Sequence, residues 1–449
     1  MNIKRAIQSV IFRTAVLAAA LSAYSCDKDP DFGIKEEAGI QYTPPGNREP
    51  VKETRKVLIF YECGFNSLYD YIAVNMEKDL PAGDLPGGGR HNDVLLVYSK
   101  LATNLNYKDV PSYLRRIYKD NDGKTVSDTL KTFPATTVAS SGETMREVLS
   151  FVKSTFPAES YGMVYSSHGS GWLPAGYYNN PYSFERQHQN SSRKLSKALH
   201  RLDIPQGSMD NDDPRSWMVR SIGQDAMSSG SVEMSTSEFA QGIPFHLDYL
   251  LFDMCFSGGI EVAYALKDKA DFLGLSPAEV LAAGTYDYTP ITKYLFNQSG
   301  ANLQGLFKDS FDRYDKQSGE YRSSTVSLIS TDGLENLATV CKELIAKYQD
   351  QIAAAPANKI QGYFRINRHY FYDLEDIFAK SGVSDSDMAT LRSAIDACIV
   401  YRAATPSFLD EFSINTYSGL SMYLPVAGTP LLDSYYKDEP WNKATELVK

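Results

Sequence analysis

Short apolar runs, separated by polar and glycine-containing segments, form the clearest pattern along this chain. They lie at 56–61, 93–98, 163–166 and 249–254. Such short runs are typical of the buried strands of a parallel sheet. Between the second and third runs, apolar residues recur at helical spacing in the segment 141–155. Because strands and helices alternate in this way, the pattern predicts parallel β-α units and therefore an α/β fold.

Weaker signals predict further elements around this core. They are a helix at 68–80 capped by Asn66 and Ser67, a hairpin at 113–133, a strand at 325–329, a helix at 334–352 followed by two more helices, and a late strand at 417–425. The segment 176–235 shows no clear periodicity, and an uninterrupted loop of that length is uncommon in a compact domain. We therefore expect an insertion at 176–235, and we place a soft domain boundary near residue 300.

Two of the predicted strands are followed by a residue that can perform chemistry. His168 follows the run at 163–166, and Cys255 follows the run at 249–254. The carboxyl ends of parallel strands meet at one edge of an open sheet, where ligands bind. An imidazole and a thiol brought together at that edge make a nucleophile–base pair. The sequence therefore predicts an enzyme with a cysteine nucleophile.

The other histidines and cysteines are weaker candidates. None of the remaining histidines both ends an apolar run and precedes a glycine; they are His91, His188, His200, His246 and His369. Cys63 lies just past the first strand, and Cys341 and Cys398 lie in helical patterns, where a thiol is usually a small buried apolar group. No Cys-x-x-Cys or clustered Cys/His spacing predicts a zinc site, and no Asp-x-Asp-x-Asp-Gly loop predicts a calcium site. We therefore expect neither a metal nor a cofactor.

The first 25 residues have the features of a secretory signal, with basic residues near the start and a small apolar core at 14–20. They lead into Ala23-Tyr24-Ser25-Cys26, which resembles the lipobox of bacterial lipoproteins and implies a lipid on Cys26. The acidic stretch 27–31 resembles the export tag that sends Bacteroidetes lipoproteins to the cell surface. We therefore expect an outer-membrane lipoprotein in which 26–55 is a tether. The alternative is a plain secretion signal with an incidental Cys26.

The charge of the chain argues against some partners. Its formal net charge is −10, and removal of the signal, with three basic and no acidic residues, would take that charge to −13. An acidic chain without basic clusters is poorly suited to bind nucleic acid or an anionic membrane surface. We therefore expect no nucleic-acid partner and contact with the outer membrane only through the lipid.

Several motifs, in order along residues 55–445, resemble the clostripain family of cysteine peptidases, in the caspase-like clan with gingipains and legumains. They are Asn66-Ser67-Leu68, the segment 157–161, His168-Gly169-Ser170-Gly171-Trp172, Asp253-x-Cys255 with 261–264 behind it, 276–279 and 419–425. The resemblance implies a caspase-like, mostly parallel sheet flanked by helices, with a C-terminal α+β extension. With the boundary near residue 300, we expect a peptidase domain at 56–300 and a C-terminal subdomain at 301–449.

Three departures from the family pattern concern the details of substrate binding. Ser167 precedes His168 where the family often has Asp. The first strand ends Glu62-Cys63-Gly64-Phe65 where an Ala-Ala-Asp-like sequence is common, and Phe256-Ser257-Gly258-Gly259 follows Cys255 where relatives often carry Leu-Met and an Ala. None of these departures removes the two reacting groups.

The resemblance implies an endopeptidase that cuts protein or peptide substrates after Arg or Lys. Cys255 would attack the carbonyl carbon, His168 would be the general acid and base, and the backbone N–H groups of Gly169 and Cys255 would hold the oxyanion. Strand alternation places Asp253 on the same side as Cys255. Asp253 is then either a structural acceptor or, as the resemblance implies, the pocket base that selects Arg or Lys. Some relatives depend on calcium, for which this sequence has no motif.

Two other functions stay open at this stage. The first is a catalytically silent, lipid-anchored binding protein on a caspase-like scaffold, since a scaffold alone does not imply activity. The presence of both His168 and Cys255 argues against it. The second is an esterase with a serine nucleophile, which is disfavoured because the sequence has no Gly-x-Ser-x-Gly motif.

The insertion carries side chains of the type that a pocket for Arg or Lys would select. These are Arg186, Arg193, Lys194, Lys197, Arg201, Arg215 and Arg220. Proteolytic nicking concentrates in exposed loops, and relatives in the family mature by cleavage between the His and Cys strands. We therefore expect self-cleavage within about 186–220 that leaves two associated chains. The alternative is a surface loop without this role.

Overall fold

The computed structural model of the protein describes residues 41–43, 54–87, 92–104, 107–175, 177, 185, 222–227, 230–365 and 370–449. The predicted signal, Cys26 and most of the predicted tether lie outside the described residues. All seven basic residues predicted as self-cleavage sites, in 186–220, also lie outside them.

The described strands fall into one large sheet and three small two-stranded sheets. In chain order the described strands are β1 (Gln41–Thr43), β2 (Thr54–Gly64), β3 (Val94–Leu101), β4 (Ser112–Lys119), β5 (Thr125–Phe133), β6 (Ala158–Ser166), β7 (Ile222–Met227), β8 (Gly230–Met234), β9 (Leu247–Asp253), β10 (Ala270–Leu275), β11 (Thr325–Ser330), β12 (Tyr372–Asp373), β13 (Ile399–Ala404), β14 (Ser407–Phe408), β15 (Phe412–Ser413) and β16 (Ser421–Met422).

The large sheet has ten strands in the order β1-β5-β4-β3-β2-β6-β9-β10-β11-β13. Its five central strands, from β3 through β2, β6 and β9 to β10, are all parallel. Antiparallel pairs flank this centre, with β4 beside β3 and β11 beside β10. The predicted α/β fold with a mostly parallel sheet is therefore confirmed.

Helices lie against both faces of the sheet. In chain order they are α1 (Tyr69–Val74), α2 (Leu80–Ala82), α3 (Gly142–Thr155), α4 (Thr236–Gly242), α5 (Ile260–Ala265), α6 (Ile291–Leu295), α7 (Leu303–Asp315), α8 (Leu334–Lys347), α9 (Gln349–Ala353), α10 (Leu374–Lys380), α11 (Asp385–Cys398), α12 (Pro430–Tyr436) and α13 (Pro440–Thr445). Strand alternation explains the two cores: in β2, Ile59 and Tyr61 pack into the cluster that includes α3, whereas Leu58 and Phe60 pack into the cluster that includes α1 and α7.

Most predicted elements lie where the sequence places them. The hairpin is formed by β4 and β5, and α3 begins after Ser141, whose hydroxyl accepts a hydrogen bond from the N–H group of Thr144. The helix predicted at 68–80 is α1, followed by a π-helical stretch at Asn75–Asp79 and then by α2. The helix predicted at 334–352 is divided at Tyr348 into α8 and α9.

One prediction about secondary structure is wrong, and one segment without a predicted structure is assigned. Among the described residues at the end of the insertion, β7 and β8 pair as an antiparallel hairpin. The predicted late strand at 417–425 is reduced to β16, which pairs with β12 outside the large sheet. The reason is that the N–H groups of this segment donate to acceptors outside a strand ladder. The N–H group of Ser421 donates to the carbonyl of Gly258, and that of Tyr423 donates to the carboxylate of Glu261.

The large sheet continues past the predicted boundary near residue 300, since β11 pairs with β10 and β13 pairs with β11. The division into 56–300 and 301–449 therefore stays a prediction. In the described part of the chain, no helix has both the length and the apolar character needed to cross a membrane.

Candidate active site

The fold brings the predicted nucleophile and base to one edge of the sheet. In the pairing of β6 with β9, Ser166 lies opposite Asp253. His168 and Cys255 each come two residues later, so they leave neighbouring parallel strands side by side. Gly169 lies directly against this second loop: a Cβ atom on Gly169 would be 2.3 Å from Cγ of Met254 and 2.8 Å from the carbonyl oxygen of Cys255. Only a residue without a side chain fits at this contact.

The imidazole of His168 is fully buried and is contacted by a residue that the sequence did not identify as functional. The hydroxyl oxygen of Ser67 lies 2.9 Å from Nε2 of His168, within hydrogen-bond distance. Ser67 was predicted to cap α1, but that helix has Leu68 at its N-cap position and no side-chain cap. The expectation for Ser67 is therefore wrong, because its hydroxyl contacts the imidazole across a separation of 101 residues.

Hydrogen bonds to two other segments hold the loop that carries His168. The hydroxyl of Ser167 donates to the carbonyl of Cys63 at 2.8 Å and accepts from the N–H group of Gln224 at 3.1 Å. The carbonyl of His168 accepts from the N–H group of Gly223 at 3.0 Å. The hairpin β7–β8, which ends the predicted insertion, therefore fixes the backbone of the His168 loop.

Cys255 lies at a sharp turn just past the end of β9. The following residue, Phe256, has a φ angle of +53°, which is uncommon for a residue with a side chain. Its ring stacks on Phe371 at 4.4 Å between centroids, and its N–H group donates to the carbonyl of Ala278. The N–H group of Val280 donates to Sγ of Cys255 at 3.3 Å. These contacts fix the turn and hold the thiol against the loop that begins after β10.

A narrow pocket opens beside Cys255. Its walls come from α1, including Tyr71 and Ile72, and from the loop 280–284, and the strand ends contribute Ser166 and Asp253. His168 and Gly169 do not border this pocket. The structure therefore groups Cys255 with Asp253 at the pocket, while His168 follows the neighbouring strand β6.

Asp253 is buried at the pocket and is already hydrogen bonded. The N–H group of Thr285 donates to Oδ1 at 2.6 Å, and the hydroxyl of Tyr288 donates to Oδ2 at 2.8 Å. Burial raises the pKa of Asp253, and these two hydrogen bonds act in the opposite direction. Gly284 comes close to the same carboxylate, since a Cβ atom on it would lie 2.5 Å from Oδ2, and its φ angle is +83°. Asp253 therefore acts as a structural hydrogen-bond acceptor, and it also borders the pocket.

A second carboxylate, which the sequence did not identify as functional, lies in the same row of the sheet. Glu62 of β2 pairs with Ser166 of β6, which in turn pairs with Asp253. Glu62 is fully buried, and its pKa is raised well above the usual range, first by burial and then by Asp253. The signal for it was available in the sequence, because an acid stands where the alternation of Leu58 and Phe60 requires an apolar residue.

The remaining cysteines of the described part of the chain have the environment of buried structural thiols. Cys63, Cys341 and Cys398 are buried free thiols. Burial raises the pKa of Cys398 to about 11 and those of Cys63 and Cys341 further. Among the described residues, no group of three or more His, Cys, Asp or Glu side chains is arranged to hold a metal ion.

Comparisons with known proteins identify the family. The family model described as the clostripain family matches residues 206–438. A structure described as an inactive zymogen C11 protease from Parabacteroides distasonis has a TM-score of 0.67 and 25% sequence identity, covering 89% of this chain and 99% of that one. No curated protein sequence matches the chain.

Two further solved structures share the fold. A secreted C11 cysteine protease from Bacteroides thetaiotaomicron, "iotapain", has a TM-score of 0.66 and 22% identity, covering 88% of this chain and 100% of that one. A secreted C11 cysteine protease from the same organism, in complex with an irreversible peptide inhibitor, has a TM-score of 0.66 and 21% identity, covering 88% of this chain and 99% of that one. Since the family model spans more than half of the sequence, this chain belongs to the clostripain family of cysteine peptidases.

Proposed function

We propose that this protein is an endopeptidase that cleaves after Arg or Lys and uses Cys255 as nucleophile and His168 as general acid and base. The observation that carries the proposal is the register of β6 and β9. Because Ser166 pairs with Asp253, His168 and Cys255 emerge next to each other at the carboxyl edge of the sheet. Family membership supplies the reaction class.

In the proposed reaction, Sγ of Cys255 forms a bond to the carbonyl carbon of the substrate, and the carbonyl electrons move to its oxygen. His168 takes up the thiol proton and gives it to the leaving nitrogen when the C–N bond breaks, which leaves an acyl-enzyme. A water molecule then attacks the acyl carbon and gives a proton to His168, and the C–S bond breaks to release the carboxylic product while His168 returns the proton to Sγ. Since Ser67 contacts Nε2, we assign the proton transfers to Nδ1.

The proposed oxyanion donors are the backbone N–H groups of Gly169 and Cys255. Gly169 lies against the carbonyl of Cys255, so the two peptide groups are neighbours at the sheet edge. Fixed donors aimed at developing charge are worth about 3–4 kcal/mol each in enzymes where one has been removed. The turn at Phe256 supports this role, because it holds the backbone of Cys255 in place.

Asp253 supplies the proposed preference for Arg or Lys. It borders the pocket next to Cys255, and the neighbouring walls include apolar groups such as Ile72 and Leu281 that suit an aliphatic stem. A guanidinium or ammonium group at the inner end would place a positive charge next to this buried carboxylate. Charge-assisted hydrogen bonds of this kind are stronger than neutral ones.

The test is a panel of fluorogenic peptides that differ only in the residue before the scissile bond. Wild type is expected to cleave peptides with Arg or Lys, and Cys255→Ala is expected to cleave none. Labelling of Cys255 by an irreversible peptide inhibitor separates this proposal from a catalytically silent binding protein, which would not react. Equal rates for all peptides would reject the Arg or Lys preference but not the nucleophile.

Two parts of the proposal concern residues outside the described part of the chain. We propose that a lipid on Cys26 anchors the protein to the outer membrane, facing the cell surface; Cys26→Ser should move it from the membrane fraction to the soluble fraction. We also propose self-cleavage within about 186–220 as the activating step. One similar structure is named as an inactive zymogen, which supports the idea that members of this family are made as precursors.

A further inference from the structure

Glu62 stands in a row of polar side chains that crosses the sheet, and two members of that row, Ser166 and Asp253, border the pocket while Glu62 lies one strand beyond Ser166. The row runs over four neighbouring parallel strands as Ser99, Glu62, Ser166 and Asp253. All four are buried, and all lie on the face that is covered by α1 and by Tyr288. Since adjacent strands lie about 4.8 Å apart, the Cα atoms of Glu62 and Asp253 are separated by about 10 Å, with Ser166 between them.

The two acids differ in what surrounds their carboxylates. Both oxygens of Asp253 accept hydrogen bonds, from Thr285 and Tyr288. Neither oxygen of Glu62 has a hydrogen-bond partner of normal geometry among the described residues, although Ser166 lies close enough to lower its pKa. The charged group that acts most strongly on Glu62 is Asp253, another acid.

A buried carboxylate without a partner is costly for a fold, and natural proteins keep few of them. The usual solutions, a nearby cation or several donors, are not found around Glu62 in the described residues. A fold tolerates such a group more readily where a ligand provides the missing partner. The pocket beside Cys255 leads to Ser166, the residue between the two acids.

We propose that Glu62 is a second specificity residue of this pocket, which contacts the cationic end of the substrate's Arg or Lys side chain from the opposite side to Asp253. The proposal rests on the proposed preference for Arg or Lys. Asp253, whose oxygens are already engaged, fixes the shape and charge of the pocket, and Glu62 gives the substrate cation a carboxylate with unused acceptor capacity. A cation over Ser166 reduces the mutual repulsion of the two acids and replaces part of their lost solvation.

The experiment compares Glu62→Gln with wild type on peptides that carry Arg, Lys or citrulline before the scissile bond. Citrulline keeps the shape of Arg and lacks its charge. Glu62→Gln is expected to lower kcat/KM by about 30-fold for Arg and Lys, the effect of losing one buried charge partner. It should change the rate for citrulline little. Because the carboxylate has no partner to lose, the melting temperature should stay the same or rise.

Glu261→Gln is the matched control. Glu261 is also fully buried, but its Oε1 accepts hydrogen bonds from Tyr423 and Tyr436 in the helical layer behind the site. This variant should keep the wild-type ratio of Arg to citrulline rates. Glu62→Leu, which extends the apolar alternation of Leu58 and Phe60, gives a second variant that should fold and lose the preference.

The outcomes separate the two proposals. If wild type does not distinguish Arg from citrulline, the preference for basic residues is rejected, and the role of Glu62 falls with it. If wild type prefers Arg and Glu62→Gln keeps that preference, only the role of Glu62 is rejected. If Glu62→Gln and Glu62→Leu both lower the melting temperature and slow all peptides equally, Glu62 supports the fold, which also overturns the inference.

Discussion

Removal of the Ser67 hydroxyl should slow catalysis without weakening the protein much. In Ser67→Ala the only group lost is the oxygen that lies 2.9 Å from Nε2 of His168. A single hydrogen bond of this kind contributes about 0.5–1.5 kcal/mol net. If all of it serves to orient the imidazole in the transition state, kcat should fall by about 2- to 13-fold. KM should change little, because Ser67 does not border the pocket.

The assay measures kcat and KM for one Arg peptide, together with the rate at which a small alkylating agent modifies Cys255. That rate reports the thiolate and depends on how His168 is held. Ser154→Ala is the matched control, since its exposed hydroxyl donates to the carbonyl of Phe151 at the far end of α3. The control should match wild type in kcat and in the alkylation rate, while Ser67→Ala should lower kcat and the alkylation rate.

Three outcomes would contradict the reasoning. Wild-type kcat and alkylation in Ser67→Ala would mean that the hydroxyl does not position His168. A fall in the melting temperature with kcat per folded molecule unchanged would mean that Ser67 serves the fold. A loss of activity far beyond 13-fold would show that the hydroxyl does more than orient a ring.

Four other predictions can be tested in the same way. Cys255→Ala and His168→Ala should each abolish cleavage, and the double variant should be hardly worse than either, because the two groups act as one unit; substantial turnover by His168→Ala would reject the dyad. Asp253→Asn should cut activity on Arg and Lys peptides steeply while Cys255 is still alkylated, since the amide can keep the Thr285 contact; an unchanged Arg preference would reject Asp253 as the pocket base. Wild type should purify as two associated chains and Cys255→Ala as one; a fully active single chain would contradict self-cleavage. Burial, and then the nearby Glu261, raises the pKa of the Glu439 carboxyl to about 8. Because the pKa in the folded protein lies above the unfolded value near 4.5, the stability that this group contributes to the fold is fully present below pH 4.5 and is lost as pH rises towards 8. The melting temperature should therefore decline over this range, and Glu439→Gln should lessen the decline.

The sequence could place His168 and Cys255 at the ends of neighbouring strands because the signals for both are local. The runs before His168 and Cys255 are apolar on both faces, as strands buried on both sides must be. Each run ends in polar residues at the carboxyl end of its strand. Helix α3 was predicted for a similar reason, since its cap and its apolar spacing lie within one segment. Local patterns of this kind depend little on what packs against them.

Other parts of the site depend on contacts between distant segments, and these were missed. Ser67 follows a strand in a position where a serine ordinarily caps a helix, yet its partner is His168. The hairpin β7–β8 was not predicted within the insertion, because its six-residue strand Ile222–Met227 contains Gly223 and Asp225 and does not alternate cleanly. Its place is decided by the acceptors it meets, the carbonyl of His168 and the hydroxyl of Ser167.

The register of the sheet explains why the site begins where it does. One row before the polar row, the same four strands carry Val97, Phe60, Val164 and Leu251, all buried and apolar. Two residues later, every strand changes to a polar side chain on that face. A single buried acid in one strand would be a packing defect, but four aligned changes at the carboxyl edge mark the level at which the core ends and the pocket begins. The position of Glu62 in that row, rather than its charge alone, is the reason to assign it to the substrate.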